Sequence, residues 1–418
     1  MAVERIDSIA QHLLRSNRAL NAIQSKHPDD IVITLAIRTP LTKAKKGGFK
    51  DTSLEYIMYA VLKEVRERSK LQPALVGDIC LGNVSDSKAA FKVRSAALAA
   101  GFPNTTTASS VNHFCSSGLK AIDDISKAIS GGSITIGIAL GAESMTTSSE
   151  KIEEPFDEAV TSQSQEAFDC TQPMGWTSEN VNTDFGISRD EMDRFAAESF
   201  EKAEAAQDAG WFDDEIVPIK TKLKGIDGKA KEVTLTKDEG IQPGTNYDSL
   251  AKIRAAFPQW GGYATAGNAS QVTDGAAALL LMKRSTAIQL NQPIMGKYVG
   301  STVVGLSPRI MGIGPSIAIP ELLASHDLAL DDIDVVEINE AFASMSVYCR
   351  DKLGLSKRKM NPRGGAIALG HPLGATGVRQ VVTGLSELRR TKKEMLLTSM
   401  CIGTGQGMAG LFVNENPQ

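Results

Sequence analysis

Two stretches of this chain run through the same parts in the same order at the same spacing, and no other feature narrows its possible folds as much. The first is an apolar run, Asp78, Ile79, Cys80, Leu81, Gly82, that stops at Asn83. Cys115 follows 32 residues later, heading the small-residue segment Cys115, Ser116, Ser117, Gly118. The second is Val335, Val336, Glu337, Ile338, which stops at Asn339. His371 follows 32 residues later, heading His371, Pro372, Leu373, Gly374. Each head leads into a helical stretch and then another apolar run, Ile134–Leu140 or Met395–Met400, and the latter ends at Cys401. An equal spacing alone can arise by chance. The shared order of elements is what describes two topologically equivalent halves.

The flanking pattern agrees. Ile31–Ala36 and Val76–Leu81 have the character of buried strands. Asp51–Val65 predicts a helix with Leu54, Ile57, Met58, Val61 and Leu62 on one side. Thr105–Val111 leads to Cys115, and Gly118–Ile129 predicts the next helix. Strands alternating with helices imply an α/β fold with a largely parallel sheet. We place the first half at residues 29–145 and the second at 266–418. Residues 146–265 form an inserted loop or lid domain. In it, Arg189–Ala206 predicts a helix capped by Ser188, and Glu215–Leu235 predicts a hairpin turning at Asp227 and Gly228. Lys220, Lys222, Lys224, Lys229 and Lys231 on that hairpin either protect a solvated edge or face a phosphate-bearing ligand.

Composition removes several classes of function. With 45 basic and 49 acidic residues the net charge is −4, which argues against a nucleic-acid footprint over the whole chain. No apolar run approaches the ~18 residues of a membrane span. Five cysteines without CxxC or His/Cys clusters indicate neither a disulfide framework nor a zinc site, and they suit a reducing compartment. Residues 1–28 form an extension in which Ile6, Ile9 and Leu13 share a helical stripe beside Arg5 and His12. Such a stripe either packs on the body or is read by a receptor.

The candidate chemical groups sit at breaks in this pattern. Cys115 stands at a helix N-terminus, where the dipole and free amides lower a thiol's pKa. His371 precedes a proline suited to a helix's first turn. Asn339 ends a strand, and Cys401 precedes Gly403, Gly405 and Gly407, which allow backbone amides close to a ligand. Taken singly, each also has a plain structural explanation: a small core residue, a buried histidine, a capping asparagine, a tight loop.

Taken together, the blocks at Cys115-Ser-Ser-Gly, Asn339-Glu-Ala-Phe, Gly370-His-Pro and Cys401-Ile-Gly-x-Gly, with Thr265, Ala266, Gly267, Asn268, Ala269 and Ser270 between them, resemble the thiolase family over about residues 29–415. The similarity is greatest to the fungal peroxisomal 3-ketoacyl-CoA branch. The resemblance implies the thiolase fold, two βαβαβαββ halves in α-β-α-β-α layers with an inserted loop domain, and a homodimer. It implies cleavage of 3-ketoacyl-CoA by CoA to acetyl-CoA and a shortened acyl-CoA in fatty-acid β-oxidation. CoA is then a substrate, with no resident cofactor and no metal.

Residue roles carry over with it. Cys115 is the nucleophile and His371 its base, while Cys401 protonates the enolate and then deprotonates CoA. His371 with a water held by Asn339 serves one oxyanion, and amides at Cys115 and Gly403 serve the other. Ser270, Met174 and Phe342 line the substrate arm. The stripe at Arg5, Ile6, His12 and Leu13 becomes a peroxisomal address read by an import receptor. This sequence departs from common family residues at His113, Gln242 and Ala255, outside the four blocks. The alternatives are a biosynthetic acetoacetyl-CoA thiolase, which uses the same residues, and a noncatalytic lipid-binding scaffold, which would be expected to lack Cys115 or His371. A decarboxylating condensing enzyme would need a different residue at Cys401.

Overall fold

A computed structural model describes residues 18–147, 156–225 and 227–415. The stripe at Arg5, Ile6, His12 and Leu13 lies outside the described residues. Along the first half come β1 (Ile31–Arg38), β2 (Thr42–Lys43), α1 (Leu54–Ser69), β3 (Asp78–Gly82), α2 (Ala89–Ala99), β4 (Thr107–Val111), α3 (Ser117–Ser130) and β5 (Ile136–Ser144). The insertion carries α4 (Met174–Phe185), α5 (Arg189–Asp208) and the hairpin β6 (Ile219–Lys224) and β7 (Ala230–Leu235). It is followed by β8 (Thr273–Lys283). The second half holds β9 (Gly296–Gly305), α6 (Pro315–Ser325), β10 (Val335–Ile338), α7 (Ala343–Leu353), α8 (Leu373–Thr391), β11 (Met395–Ile402) and β12 (Gln406–Asn414).

All strands but the hairpin join one ten-stranded sheet, ordered β10-β11-β12-β9-β1-β8-β5-β3-β4, with β2 on β8. The two halves meet where β1 pairs with β9, Ile31–Ile33 against Gly296–Tyr298. Outward from that seam the first half runs β1, β8, β5, β3, β4, and the second runs β9, β12, β11, β10. The counterpart of β4 in the second half is reduced to a bridge between Val336 and Met360. The expected duplication is therefore present in strand order.

Two expectations need correction. The sheet is mixed: only β3–β4, β3–β5 and β10–β11 are parallel. In the second half β11 and β12 follow one another with no helix between them, and such neighbours pair antiparallel; β5 and β8 of the first half also pair antiparallel, across the insertion. The second half also does not begin at residue 266. β8 pairs with β1 and β5, so it completes the first half, and the insertion lies between β5 and β8.

β8 shows how the layers form. Its Ala276, Ala278, Leu280 and Met282 pack in the cluster that includes Leu54, Ile57, Met58 and Val61 of α1. The alternate residues Ala277, Leu279 and Leu281 pack with Leu119, Ile122 and Ile125 of α3 and Val378, Val381 and Val382 of α8. A strand buried on both faces in this way reads as one continuous apolar run, and each large aliphatic side chain so buried contributes about 1.5–3 kcal/mol. Helices α3 and α8 thus form a central layer, approaching almost backbone to backbone. A Cβ on Gly118 would lie 2.6 Å from the Gly374 carbonyl, and one on Gly377 would lie 2.3 Å from the Leu119 nitrogen. Helix α5 begins as expected, with Ser188 capping it and Glu191 closing a capping box. Among the described residues no helix is long and apolar enough to cross a membrane.

Candidate active site

The N-termini of the two central helices carry the first pair of groups. Between β4 and α3 the chain makes a tight turn. Asn112 Oδ1 accepts from the Phe114 amide at 3.0 Å, Ser117 Oγ accepts from the His113 amide at 2.9 Å, and the Ser117 hydroxyl donates to the Phe114 carbonyl at 2.6 Å. These bonds hold Phe114 at a φ of 47°, a left-handed conformation unusual for a side chain of this size. The turn sets Cys115 immediately before α3, partly open to solvent.

Cys115 is not the activated thiol that its helix position alone suggests. Burial pushes it up to about 12, backbone hydrogen bonding opposes this, and the nearby Glu143 carboxylate adds to the rise. Desolvation here exceeds what the helix start returns. Below such a pKa the thiolate fraction grows tenfold per pH unit. Alkylation of Cys115 in the free enzyme by iodoacetamide is therefore expected to keep rising about tenfold per unit from pH 6 to 10. A plateau near pH 7, read from peptide mass spectra, would contradict it.

His371 opens α8 in the same way. Gly370 before it has a φ of 108°, and a Cβ there would lie 2.3 Å from Thr273 Oγ1, so only glycine fits. The His371 amide donates to the Gln271 carbonyl at 3.0 Å. The buried ring places Nδ1 2.6 Å from Thr376 Oγ1 and Nε2 3.3 Å from Asn339 Nδ2. With the Asn339 amide donating to Nε2, the ring proton sits on Nδ1 and points at Thr376. Burial and then the Arg379 charge bring His371 down to about 3. It is a neutral imidazole at physiological pH, with Nε2 turned to the Asn339 side-chain amide.

Asn339 and Cys401 come from the ends of neighbouring strands. The Asn339 amide donates to the Ser399 carbonyl at 2.9 Å, two residues before Cys401. Its buried Oδ1 has no protein partner. Cys401 is almost fully buried, opposite Gly407 on β12, and packs with Met311, Ala341 and Met345. Burial raises its thiol well above the usual range, and the proximity of Cys115 raises it further. Two sulfurs from opposite halves thus lie within electrostatic reach, both protonated at rest.

The loop after Cys401 closes the site. A Cβ on Gly403 would lie 3.3 Å from the Phe114 ring and 3.8 Å from Met174 Sδ. The Phe114–Cys115 turn, the Gly403 loop and the first residue of α4 therefore meet. Ser270 and Phe342 also come together: the Ser270 amide donates to the Ala341 carbonyl at 3.0 Å, and Ala269 bridges Phe342. Phe342 in turn packs beside the Cys401 cluster. His113 spans the halves, with Nε2 3.1 Å from Gln406 Oε1 and Nδ1 2.9 Å from Ser116 Oγ.

Sequence reasoning passed over two supporting residues. Thr376 fixes the tautomer of His371. The buried Glu340 carboxylate accepts from Ser199 Oγ at 2.7 Å, Asn361 Nδ2 at 2.7 Å and the Ile367 amide at 3.1 Å. It thereby ties the Asn339 strand end to the loop that delivers His371. The adjacent Asn339 and the glycines at 364 and 365 were the available signals. A Cβ on Gly365 would lie 2.2 Å from the Glu340 carboxyl carbon.

Comparison with known proteins gives consistent matches. Residues 31–285 match the thiolase N-terminal domain and residues 292–414 the thiolase C-terminal domain, so the family boundary also falls after β8. A peroxisomal 3-ketoacyl-CoA thiolase of Yarrowia lipolytica is 48% identical over 416 residues, spanning 99% of this chain and 100% of that protein. The dimeric peroxisomal thiolase of Saccharomyces cerevisiae superimposes with a TM-score of 0.88 at 45% identity, over 94% of this chain and 100% of its own. Another structure of peroxisomal 3-ketoacyl-CoA thiolase from that yeast, described as five-layered with two core domains of identical topology, has a TM-score of 0.78 at 41% identity, over 94% of this chain and 100% of its own.

Proposed function

Because this chain belongs to the thiolase family, we infer that it is a 3-ketoacyl-CoA thiolase, an acyltransferase of peroxisomal fatty-acid β-oxidation. What supports the mechanism is that Cys115 and His371 open two helices that touch at Gly118 and Gly374, and that Cys115 lies within electrostatic reach of Cys401.

The reaction can be written through these groups. His371 Nε2 takes the Cys115 proton, and the thiolate adds to C3 of the 3-ketoacyl-CoA. The C2–C3 bond breaks, leaving the acyl group on Cys115 and an acetyl-CoA enolate that takes a proton at C2 from Cys401. Incoming CoA gives its thiol proton to the Cys401 thiolate and attacks the acyl-enzyme. Cys115 departs and recovers its proton from His371. Once protonated, Nε2–H is a donor for the thioester oxygen, together with a water on Asn339, whose Oδ1 is otherwise unpaired. Amides at Cys115 and Gly403 serve the oxyanion at C3. Each proton has a donor and an acceptor among these residues and CoA, so CoA enters as a substrate and no resident cofactor or metal is invoked. Ser270, Met174 and Phe342 line the path of the substrate arm.

The test is turnover of a long-chain 3-ketoacyl-CoA against acetoacetyl-CoA, followed by the loss of the 3-keto thioester absorbance. A degradative enzyme is expected to have at least a tenfold higher kcat/KM for the longer substrate. A clear preference for acetoacetyl-CoA would instead favour the biosynthetic reading.

Location and assembly follow the relatives, which are peroxisomal and, for the yeast enzyme, dimeric. We take Arg5, Ile6, His12 and Leu13 as the address recognised by the import receptor. Arg5→Glu is expected to leave a folded, active homodimer in the cytosol, as seen by fluorescence microscopy and lysate assay. Peroxisomal retention of the variant would place the address elsewhere.

A further inference from the structure

Each half presents three residues at matching places. In the second half these are Asn339 after β10, His371 before α8 and Cys401, the last residue but one of β11. In the first they are Asn83 after β3, Cys115 before α3 and Glu143, the last residue but one of β5. The site uses Cys115 from the first half and all three from the second. Asn83 and Glu143 are left over, and they bond to each other, Asn83 Nδ2 donating to Glu143 Oε1 at 3.1 Å.

Glu143 is fully buried and ringed by donors. Its Oε1 also accepts from the Ser85 amide at 3.2 Å and from the Ser85 hydroxyl. Its Oε2 accepts from the Val84 amide at 3.0 Å and from the Gly374 amide at 3.0 Å. Gly374 lies in the first turn of α8, three residues past His371. Its amide is one that a helix start leaves unpaired, and a carboxylate there also suits the helix dipole. The 83–85 loop on the other side is tied to the nucleophile turn. The Asn83 amide donates to the Val111 carbonyl at 3.2 Å, and Asn112, whose Oδ1 shapes the Phe114 turn, donates from Nδ2 to the Val84 carbonyl at 3.1 Å. A Cβ on Gly82 would lie 2.5 Å from the Gly118 nitrogen, and one on Gly374 would lie 2.5 Å from the Gly82 carbonyl. Contacts therefore run unbroken from the Cys115 turn through Glu143 to the start of α8, crossing between the halves.

We propose that Glu143 is a positioning residue that fixes the Cys115 thiol relative to the His371 imidazole. The proposal rests on the thiolase reading, since it presupposes proton transfer between those groups. A displacement of about 1 Å between reacting groups costs on the order of 100-fold in rate.

Glu143→Gln keeps the shape but turns an amide toward groups that are themselves donors. Its kcat per active site, with sites counted by the acyl-enzyme formed on Cys115, is expected to fall about 10- to 100-fold while KM stays within about threefold. A purely structural role would reduce the number of active sites and leave kcat per site unchanged. A kcat per site within twofold of the native enzyme overturns the proposal, as does a change confined to KM. Should this variant fail to fold, Ser85→Ala decides. It removes one donor from a half-buried position, and a severalfold lower kcat per site supports the role, whereas native kcat overturns it. If the native enzyme itself forms no acyl group on Cys115, the thiolase reading fails; if only the variants behave as native, it stands and the Glu143 proposal alone falls.

Discussion

Cys115→Ala is expected to abolish thiolysis and acyl-enzyme formation together, with kcat reduced by at least about 10⁴-fold. The expectation follows from position. Of the two thiols at the site, Cys115 alone is partly open to solvent, and it stands within reach of substrate at the start of α3. Cys401 is enclosed by Met311, Ala341 and Met345 and cannot readily present its sulfur to a bulky C3 carbonyl. Intact-protein mass spectrometry after exposure to acetyl-CoA gives the result directly: a mass increase of one acetyl group on the native chain, mapped to the Cys115 peptide, and none on the variant. An acetyl group found on Cys401 would reverse the assignment of the two cysteines. The fold should be unaffected, because the variant loses only one sulfur from a site that is not sealed.

Cys401→Ala is expected to separate the two half-reactions. The variant keeps Cys115, His371 and the Gly403 loop, so it should still take an acetyl group from acetyl-CoA, though slowly. It lacks the group that protonates the enolate at C2, so cleavage of a 3-ketoacyl-CoA should fall by about 10³- to 10⁴-fold. Exchange of the acetyl-CoA methyl protons with deuterated water, followed by mass spectrometry, should be lost in parallel, since it requires a base at the same carbon. The burial that raises Cys401 well above the usual thiol range suits the assignment. Near neutral pH it is held as the acid that the enolate needs, and it becomes a base only after giving up that proton. Exchange at the native rate in the variant would remove Cys401 from this role and point to His371 as the group acting at C2.

The candidate residues stood out in the sequence because each marks a break between an apolar run and a small-residue turn, and because Asn83 to Cys115 and Asn339 to His371 repeat one spacing; their roles came from the resemblance of the four blocks to the thiolase family. The same repeat announced two equivalent halves, which the strand order contains, but not the order itself or its mostly antiparallel pairings. Nor did it announce the membership of β8. An apolar strand carries no record of its neighbours, and the insertion removes β8 from β5 in sequence while Glu143 and Gly275 still pair in space. The resting state of Cys115 was also hidden. Sequence shows that a thiol begins a helix, but only packing shows how far the surrounding atoms desolvate it, and that desolvation outweighs the helix start.

Glu340 and Glu143 illustrate the remaining limit. Both were ordinary acidic residues until the fold set their carboxylates against backbone amides far away in the chain, Glu143 and Gly374 being 231 residues apart. Local pattern marked the candidate residues, because helix starts and strand ends are encoded by neighbours, and the family resemblance supplied the roles proposed for them. Tertiary structure decided their protonation, their supports and their mutual placement, because those depend on burial and on hydrogen bonds between residues distant in the chain, as in the bond from Gly374 to Glu143 that joins the two halves.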